Sequence, residues 1–342
     1  MKAHENIFSI ANLYDTFFID MYGVLFDGSE LYYGTLDTLE KLKQMGKKIV
    51  LVSNTSQLSQ DAARGYIERG LNRGIHYDCF ITAGELLHDI LIHHADTLNK
   101  QLGKEFRTVK CLFMGNMNAF KNTGISGIDT YEDADLVYIA SPRAHYGSVR
   151  VDNLYDENND KVEIEDFLDR DWKKLRDNQG RQGLAEFSLQ LEKLATLGKT
   201  LILSNPDVFA PFQIDNGKYP VATQGSIGFY YEKFFGGKVL YFGKPFKEIF
   251  DFARKVSSSE KDKILMIGDT LWTDILGAHN AGIDSALVMT GVSGEFFRKM
   301  PGKPLTEKLE ILSNRIGAKL SCAGQNLKNP TYMLRHFYED LR

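Results

Sequence analysis

Short apolar runs that end in polar residues recur along the chain, separated by stretches with helical spacing. Thr16 to Ile19 is apolar and stops at Asp20. Leu36, Leu39, Leu42 and Met45 then recur at helical spacing, and Gly46 closes that helix. Lys48 to Val52 is a second apolar run and ends at Ser53-Asn54-Thr55. Strand, loop, helix, strand is the opening of a parallel α/β sheet. The same grammar returns late. Val239 to Phe242 precedes Gly243-Lys244-Pro245, and Phe246 to Val256 reads as a helix. Ile264 to Ile267 precedes Gly268-Asp269, Trp272 to Ala281 reads as a helix, and Ser285 to Met289 as a strand.

In open parallel sheets, ligands bind beyond the carboxyl ends of the strands. Asp20, Ser53, Lys244 and Asp269 each follow a predicted strand, which gathers four polar residues at one edge of one sheet. Between them, residues 84–237 read as a separate α/β unit, with strands at Val109–Met114, Leu136–Ala140 and Thr200–Leu203. The expected division is a discontinuous domain of 1–83 and 238–342 with 84–237 inserted. Charge is dense from Asp152 to Arg181, which reads as a solvated excursion with a partial helix and not as a site. The Phe229-Tyr230-Tyr231 and Phe234-Phe235 cluster reads as core packing of a helix.

Each candidate residue has its own chemistry. A strand-end carboxylate such as Asp20 becomes a nucleophile when a cation neutralises both it and an incoming phosphate. Asp269 and Asp274 straddle a strand end and the first turn of a helix, where the first reaches a cation and the second supports the ligands or waters. Lys244 can steady negative charge as a point cation. Ser53 and Asn54 at a helix start suit a phosphate oxygen or a plain cap.

Together and in this order, Asp20, Ser53, Lys244 and Asp269/Asp274 resemble the four motifs of the haloacid dehalogenase-like (HAD) hydrolase superfamily. Asn205-Pro206-Asp207 and Gly268-Asp269-Thr270-Leu271-Trp272-Thr273-Asp274 resemble its subgroup with a type IIA cap. The resemblance spans about residues 12–295. It implies a Rossmann-like parallel-sheet core with an inserted α/β cap, and Mg²⁺-dependent hydrolysis of a small phosphorylated metabolite through an aspartyl-phosphate. By position, Asp20 would be the nucleophile, Ser53 would bind the phosphoryl group, and Lys244 would orient Asp20. Asp20, Asp269 and the Tyr22 carbonyl would ligate Mg²⁺, with Asp274 in support. Asn54, Asn205, Pro206 and Asp207 would sit near substrate. Caps of this subgroup often mediate dimers, which leaves a homodimer open.

One position departs from the family pattern. Where such phosphatases usually carry a second aspartate, this chain has Tyr22. A phenol with a pKa of about 10 is a poor base at neutral pH, and losing a general acid–base costs about 10²–10⁴-fold. Three readings follow. Substrates with good leaving groups suffice, or another group such as Asp27 or Asp207 moves the proton. Alternatively, the chain binds a phosphorylated ligand or partner without efficient turnover. The third is a dehalogenase, which would leave the acidic pair Asp269 and Asp274 unexplained.

Composition narrows the field further. The 342 residues suit two domains, and 43% hydrophobic with 25% charged residues is ordinary for a globular protein. A net charge of -4 gives no basic field for nucleic acid. No apolar run reaches the roughly 18 residues that span a membrane, and the amino terminus lacks the apolar stretch of a signal peptide. Cys79, Cys111 and Cys322 form no pair with metal or disulfide spacing. A cytoplasmic location is the default expectation, with secretion by a route that reads no amino-terminal signal left open. Asp156 to Phe167 starts like a calcium loop but has Lys161 and Phe167 where glycine and glutamate are needed. His145 reads as a surface residue.

Overall fold

The computed structural model describes residues 3–103, 109–140, 149–214, 217–317 and 327–338. His145 and Cys322 lie outside the described residues. Contacts divide the chain into two units. The first holds residues 1–53, 59–82 and 243–342, and the second holds 54–58 and 83–242.

The first unit is built on a seven-stranded parallel sheet. Its order is Ala3–His4, Tyr332–Leu334, Asp284–Val288, Ile264–Gly268, Thr16–Ile19, Lys48–Ser53 and Cys79–Thr82. Thr16–Ile19 and Ile264–Gly268 are buried at every position. This is why they read as unbroken apolar runs: a parallel sheet is covered on both faces. The register pairs Ile19 with both Ile267 and Leu51. The next residues along all three strands therefore emerge side by side at one sheet edge. Leu39 and Leu42 of the helix Thr35–Gln44, and Ile249, Phe250 and Ala253 of Lys247–Ser257, are buried.

The helix expected at Trp272 begins differently. Leu271–Ile275 forms a wide π-helical turn before the α-helix Leu276–Ala281 starts. Such turns are frequent at functional sites. This one carries the Asp274 side chain back over the end of the preceding strand.

The second unit has a five-stranded parallel sheet in the order Lys238–Tyr241, Thr200–Leu203, Leu136–Ile139, Lys110–Met114 and Ser126–Ile128. An antiparallel hairpin pairs Phe209–Ile214 with Gly217–Ala222. The strand before Lys244 is thus corrected. Lys238–Tyr241 pairs with Thr200–Leu203 and does not join the sheet that carries Asp20. An apolar run shows that a strand exists but not which sheet takes it.

The charged stretch 152–181 is a second correction. It holds no α-helix but three short 3₁₀ turns, Val151–Asn153, Ile164–Asp169 and Trp172–Lys174. Leu154, Val162, Phe167, Leu168, Trp172 and Leu175 are buried. Trp172 stacks on Tyr230 at 4.2 Å between ring centroids and on Phe167 at 5.3 Å. The charges around them lie on the turns' outer edges and pair with one another or with the neighbouring helix, as in Lys174–Glu157 and Lys173–Glu192, both 3.0 Å. Tyr230 and Tyr231 are fully buried on the helix Gln224–Phe235, as core packing requires. Among the described residues, no helix is long and apolar enough to cross a membrane.

Candidate functional site

Three adjacent strands deliver the site. Asp20 follows the central strand, and its N–H donates to the Ile267 carbonyl at 2.9 Å, continuing the ladder one residue past the strand. Asp269 follows the neighbouring strand on one side, and Ser53 ends the neighbour on the other. Lys244 enters from the chain segment that returns to the first unit at Gly243. Its Nζ donates to Asp20 Oδ1 at 2.5 Å, to Asp274 Oδ1 at 2.7 Å and to the Val52 carbonyl at 3.2 Å. All three hydrogens of the ammonium are thereby placed. Lys244 is 2% exposed and Asp274 is fully buried. In that setting an uncompensated charge would cost several kcal/mol.

Asp274 is held from its other side too. Its Oδ2 accepts from the N–H of Asp269 (3.2 Å), the N–H of Thr270 (3.1 Å) and Thr270 Oγ1 (2.9 Å). A Cβ on Gly268 would lie 2.4 Å from that oxygen, so only glycine lets the carboxylate fold back. Asp269 Oδ2 accepts from the N–H of Val292 at 2.6 Å. At Gly291 a Cβ would fall 1.9 Å from the same Oδ2, so the backbone approaches Asp269 as closely as chain geometry permits.

Asp20, Asp269 and Asp274 each offer an oxygen, and these atoms lie within 4.8 Å of one another. Three carboxylates face one ammonium, which leaves two negative charges when all are ionised. Burial first, then Asp274 and Asp20, push the Asp269 carboxyl well above the usual range, and the Val292 N–H and Lys244 only partly oppose this. Such an all-oxygen, negatively charged cluster fits a small hard divalent cation of the magnesium type.

The first unit thus brings Asp20, Ser53, Lys244, Asp269 and Asp274 to one sheet edge, with Tyr22 two residues beyond Asp20. Ser53 is buried there. Asn54, Asn205, Pro206 and Asp207 lie in the second unit and converge on one another. Asn54 Nδ2 donates to Asp207 Oδ1 at 2.9 Å, and the Asp207 N–H donates to Asn205 Oδ1 at 3.0 Å. The helix Gln224–Phe235 starts hard against this loop, since a Cβ on Gly225 would lie 2.1 Å from the Pro206 carbonyl. Asp207 is therefore engaged with Asn54. The Asp27 Oδ1 accepts from the N–H groups of Ser29 and Glu30 at 2.9 and 2.8 Å, closing its own turn.

Sequence reasoning missed Thr270, the Val292 N–H and Tyr66. Thr270 is legible in hindsight as a cap two residues after Gly268. Val292 contributes only backbone, which leaves no side-chain signal. Tyr66, on the helix Ser59–Ile67, has a hydroxyl hydrogen-bonded to Tyr22, and burial, with Tyr22 and Asp20 beside it, pushes its phenol up.

Comparison with known proteins gives a consistent setting. A model described as haloacid dehalogenase-like hydrolase matches residues 17–119, and a HAD-hydrolase-like model matches 241–309. Phosphoglycolate phosphatase 2 of Arabidopsis thaliana is 25% identical over 304 residues, covering 86% of this chain and 89% of that protein. The 4-nitrophenylphosphatase of Schizosaccharomyces pombe is 26% identical, covering 82% and 86% respectively. Among solved structures, a haloacid dehalogenase-like hydrolase from Brucella suis superposes with a TM-score of 0.64 at 19% identity, over 98% of this chain and 99% of that one.

Proposed function

This chain belongs to the haloacid dehalogenase-like hydrolases, and from that we propose that it is a magnesium-dependent phosphatase of a small phosphorylated metabolite, with Asp20 as nucleophile. One observation carries the reading. Three buried carboxylates, Asp20, Asp269 and Asp274, gather around a single buried lysine at the carboxyl ends of adjacent parallel strands. A capping aspartate needs no such company, and a metal-free dehalogenase would have no use for Asp269 beside Asp274.

Asp20 attacks the phosphorus through a carboxylate oxygen, and the bond to the leaving oxygen breaks in line with that attack. Lys244 holds Asp20 in one rotamer at 2.5 Å and lowers the repulsion between carboxylate and phosphate. Ser53, at the end of the next strand, supplies a hydroxyl for a phosphoryl oxygen. Asp20, Asp269 and the Tyr22 carbonyl would hold Mg²⁺ with Asp274 behind them, and the ion supplies charge neutralisation for the phosphoryl group. Water then attacks the aspartyl-phosphate and frees Asp20. We assign the second unit the part of a cap that selects substrate, through Asn54 and Asn205-Pro206-Asp207. A cytoplasmic location belongs to the same reading, as the free thiols of Cys79 and Cys111 suit a reducing compartment.

The test uses the purified chain and a panel of phosphomonoesters that includes 4-nitrophenyl phosphate. Turnover is expected to need Mg²⁺, to stop with EDTA, and to vanish in Asp20→Asn. An Asp20→Asn protein that still hydrolyses the panel would remove the nucleophile from the scheme.

A further inference from the structure

The charged stretch that has a core of its own also encloses a cavity. Its turns and the start of the helix Gly183–Thr196 surround a space of about 190 Å³ within the second unit. Leu154, Leu175 and Leu184 are buried and give this space an apolar wall. Arg150, Arg176 and Arg181 line the remainder beside Asp177. Three guanidinium groups around one small cavity run against the trend of a chain whose net charge is -4.

Ordered backbone carries each of them. Arg150 bridges to Val221 on the hairpin, and Arg176–Asp177 pairs antiparallel with Leu154–Tyr155. Arg181 closes a turn in which its own N–H donates to Asp177 Oδ1 at 2.9 Å. Two of the three side chains are also fixed by acids. Arg150 donates from Nε and Nη2 to Asp152 at 3.1 and 3.0 Å and lies over the Tyr219 ring, 3.2 Å from its centroid. Arg181 Nε donates to Asp177 Oδ2 at 2.5 Å. A guanidinium carries five N–H donors, so both keep donors beyond these bonds. Arg176 is different. It reaches Asn159 Oδ1 at 3.4 Å, and among the described residues it has no carboxylate partner.

Ion pairing within the segment therefore accounts for Arg150 and Arg181 and leaves Arg176 unexplained. Two acids against three guanidinium groups leave one positive charge at the cavity. The helix start adds to it. Gln182, at the N-cap, makes no side-chain hydrogen bond to the helix, and Gly183 and Leu184 of its first turn lie on the cavity wall. Exposed first-turn N–H groups act as about half a positive charge.

We propose that this cavity binds a compact organic anion. Its phosphoryl or carboxylate head meets the guanidinium groups, and its short apolar body lies against the leucines. Guanidinium forks match such heads with paired N–H···O bonds, which a lysine cannot offer. The space is smaller than the roughly 300–1,000 Å³ of sites for drug-sized ligands, which sets the ligand at a few heavy atoms. Binding here needs neither Asp20 nor Mg²⁺.

The probes are propylphosphonate and butyrate, which carry the two heads on the same short body and contain no ester bond to hydrolyse. Each is titrated by calorimetry into the metal-free full-length chain in chloride buffer. One saturable site per chain is expected for at least one probe, and the tighter of the two identifies the head of the natural ligand. Arg176→Gln disturbs no ion pair of the fold and is expected to weaken that probe by about tenfold or more, the value of a hydrogen bond to a charged group. Arg181→Gln should do the same. Asp20→Asn should bind as wild type does, and so should Lys121→Gln, which removes an exposed charge elsewhere on the second unit. Absence of saturable binding of both probes up to about 10 mM would overturn the site. Equal losses in Lys121→Gln and Arg176→Gln would reduce it to a general field, and affinity lost in Asp20→Asn would move the anion to the first unit. Either result overturns the proposal, and neither touches the phosphatase reading, which stands or falls on turnover.

Discussion

The ammonium of Lys244 lies 2.5 Å from Oδ1 of Asp20, although 224 positions separate the two in the chain. The same nitrogen is 2.7 Å from Asp274, so one cation ties together the first and last segments of the first unit. That tie is both the scaffold of the site and its main internal neutralisation.

Replacing Lys244 with methionine keeps the stem and deletes the charge. Asp20 and Asp274 are then buried without their shared partner, and breaking a buried pair from one side costs about 3–5 kcal/mol. Lys244→Met is expected to lose stability of that order in urea unfolding with EDTA present, and to lose turnover. Added Mg²⁺ should restore part of the stability and little of the activity, because the ion replaces the charge but does not orient Asp20. Unfolding midpoints equal to wild type would show that the tie contributes nothing.

Metal-free protein should show an unusual dependence of stability on pH. Burial, then Asp274 and Asp20, hold the Asp269 pKa above its ordinary value of about 3.9. The folded chain therefore keeps a proton that the unfolded chain has released. This contribution is fully present below about pH 4 and is lost as pH rises through the raised folded value. Urea midpoints in EDTA should carry a component that falls over that window and disappears in Asp269→Asn. Saturating Mg²⁺ should reverse its sign, since the ion binds the deprotonated carboxylate. Parallel pH profiles for wild type and Asp269→Asn would refute this.

Trp172 tests the part of the chain that sequence reading placed in solvent. It is fully buried between Tyr230 and Phe167. Trp172→Ala is expected to destabilise the protein by about 3–5 kcal/mol, seen as a lower unfolding midpoint. Trp172→Phe should recover more than half of the loss. A change under about 1 kcal/mol would mean that the stack contributes little.

The same segment shows what sequence reading can recover. The strands that carry Asp20, Ser53 and Asp269 were legible because burial on both faces of a parallel sheet leaves unbroken apolar runs. Residues 152–181 were not, because their six buried apolar side chains, divided among 3₁₀ turns, a two-residue strand and the links between them, follow neither a helical nor a strand period. Their charges, paired with one another and with the neighbouring helix, dominated the pattern. Lys238–Tyr241 was legible as a strand and misplaced, since its partner Thr200–Leu203 is set by tertiary pairing. Tyr66 had no local signature, because its relation to Tyr22 exists only after the helix Ser59–Ile67 packs.

The two acids of the GDTLWTD segment look alike in sequence and should separate under the same substitution. Asp274 Oδ1 accepts from Lys244, and its Oδ2 accepts from two backbone N–H groups and the Thr270 hydroxyl. Both oxygens face donors only. An asparagine there has one oxygen and one NH₂, so whichever way it turns, a donor meets a donor in a fully buried place. Leaving such groups unsatisfied costs about 1–3 kcal/mol, more for a charged partner such as Lys244. Among the described residues, Asp269 accepts from the Val292 N–H at Oδ2. Its asparagine can keep that oxygen in place and turn the amide toward the cation site. Asp274→Asn is therefore expected to lose more folding stability in EDTA, and Asp269→Asn more Mg²⁺ affinity, by about tenfold or more. Urea unfolding and Mg²⁺ titration of turnover separate the two, and the opposite ranking in either measurement would mean that the roles of the two acids are exchanged.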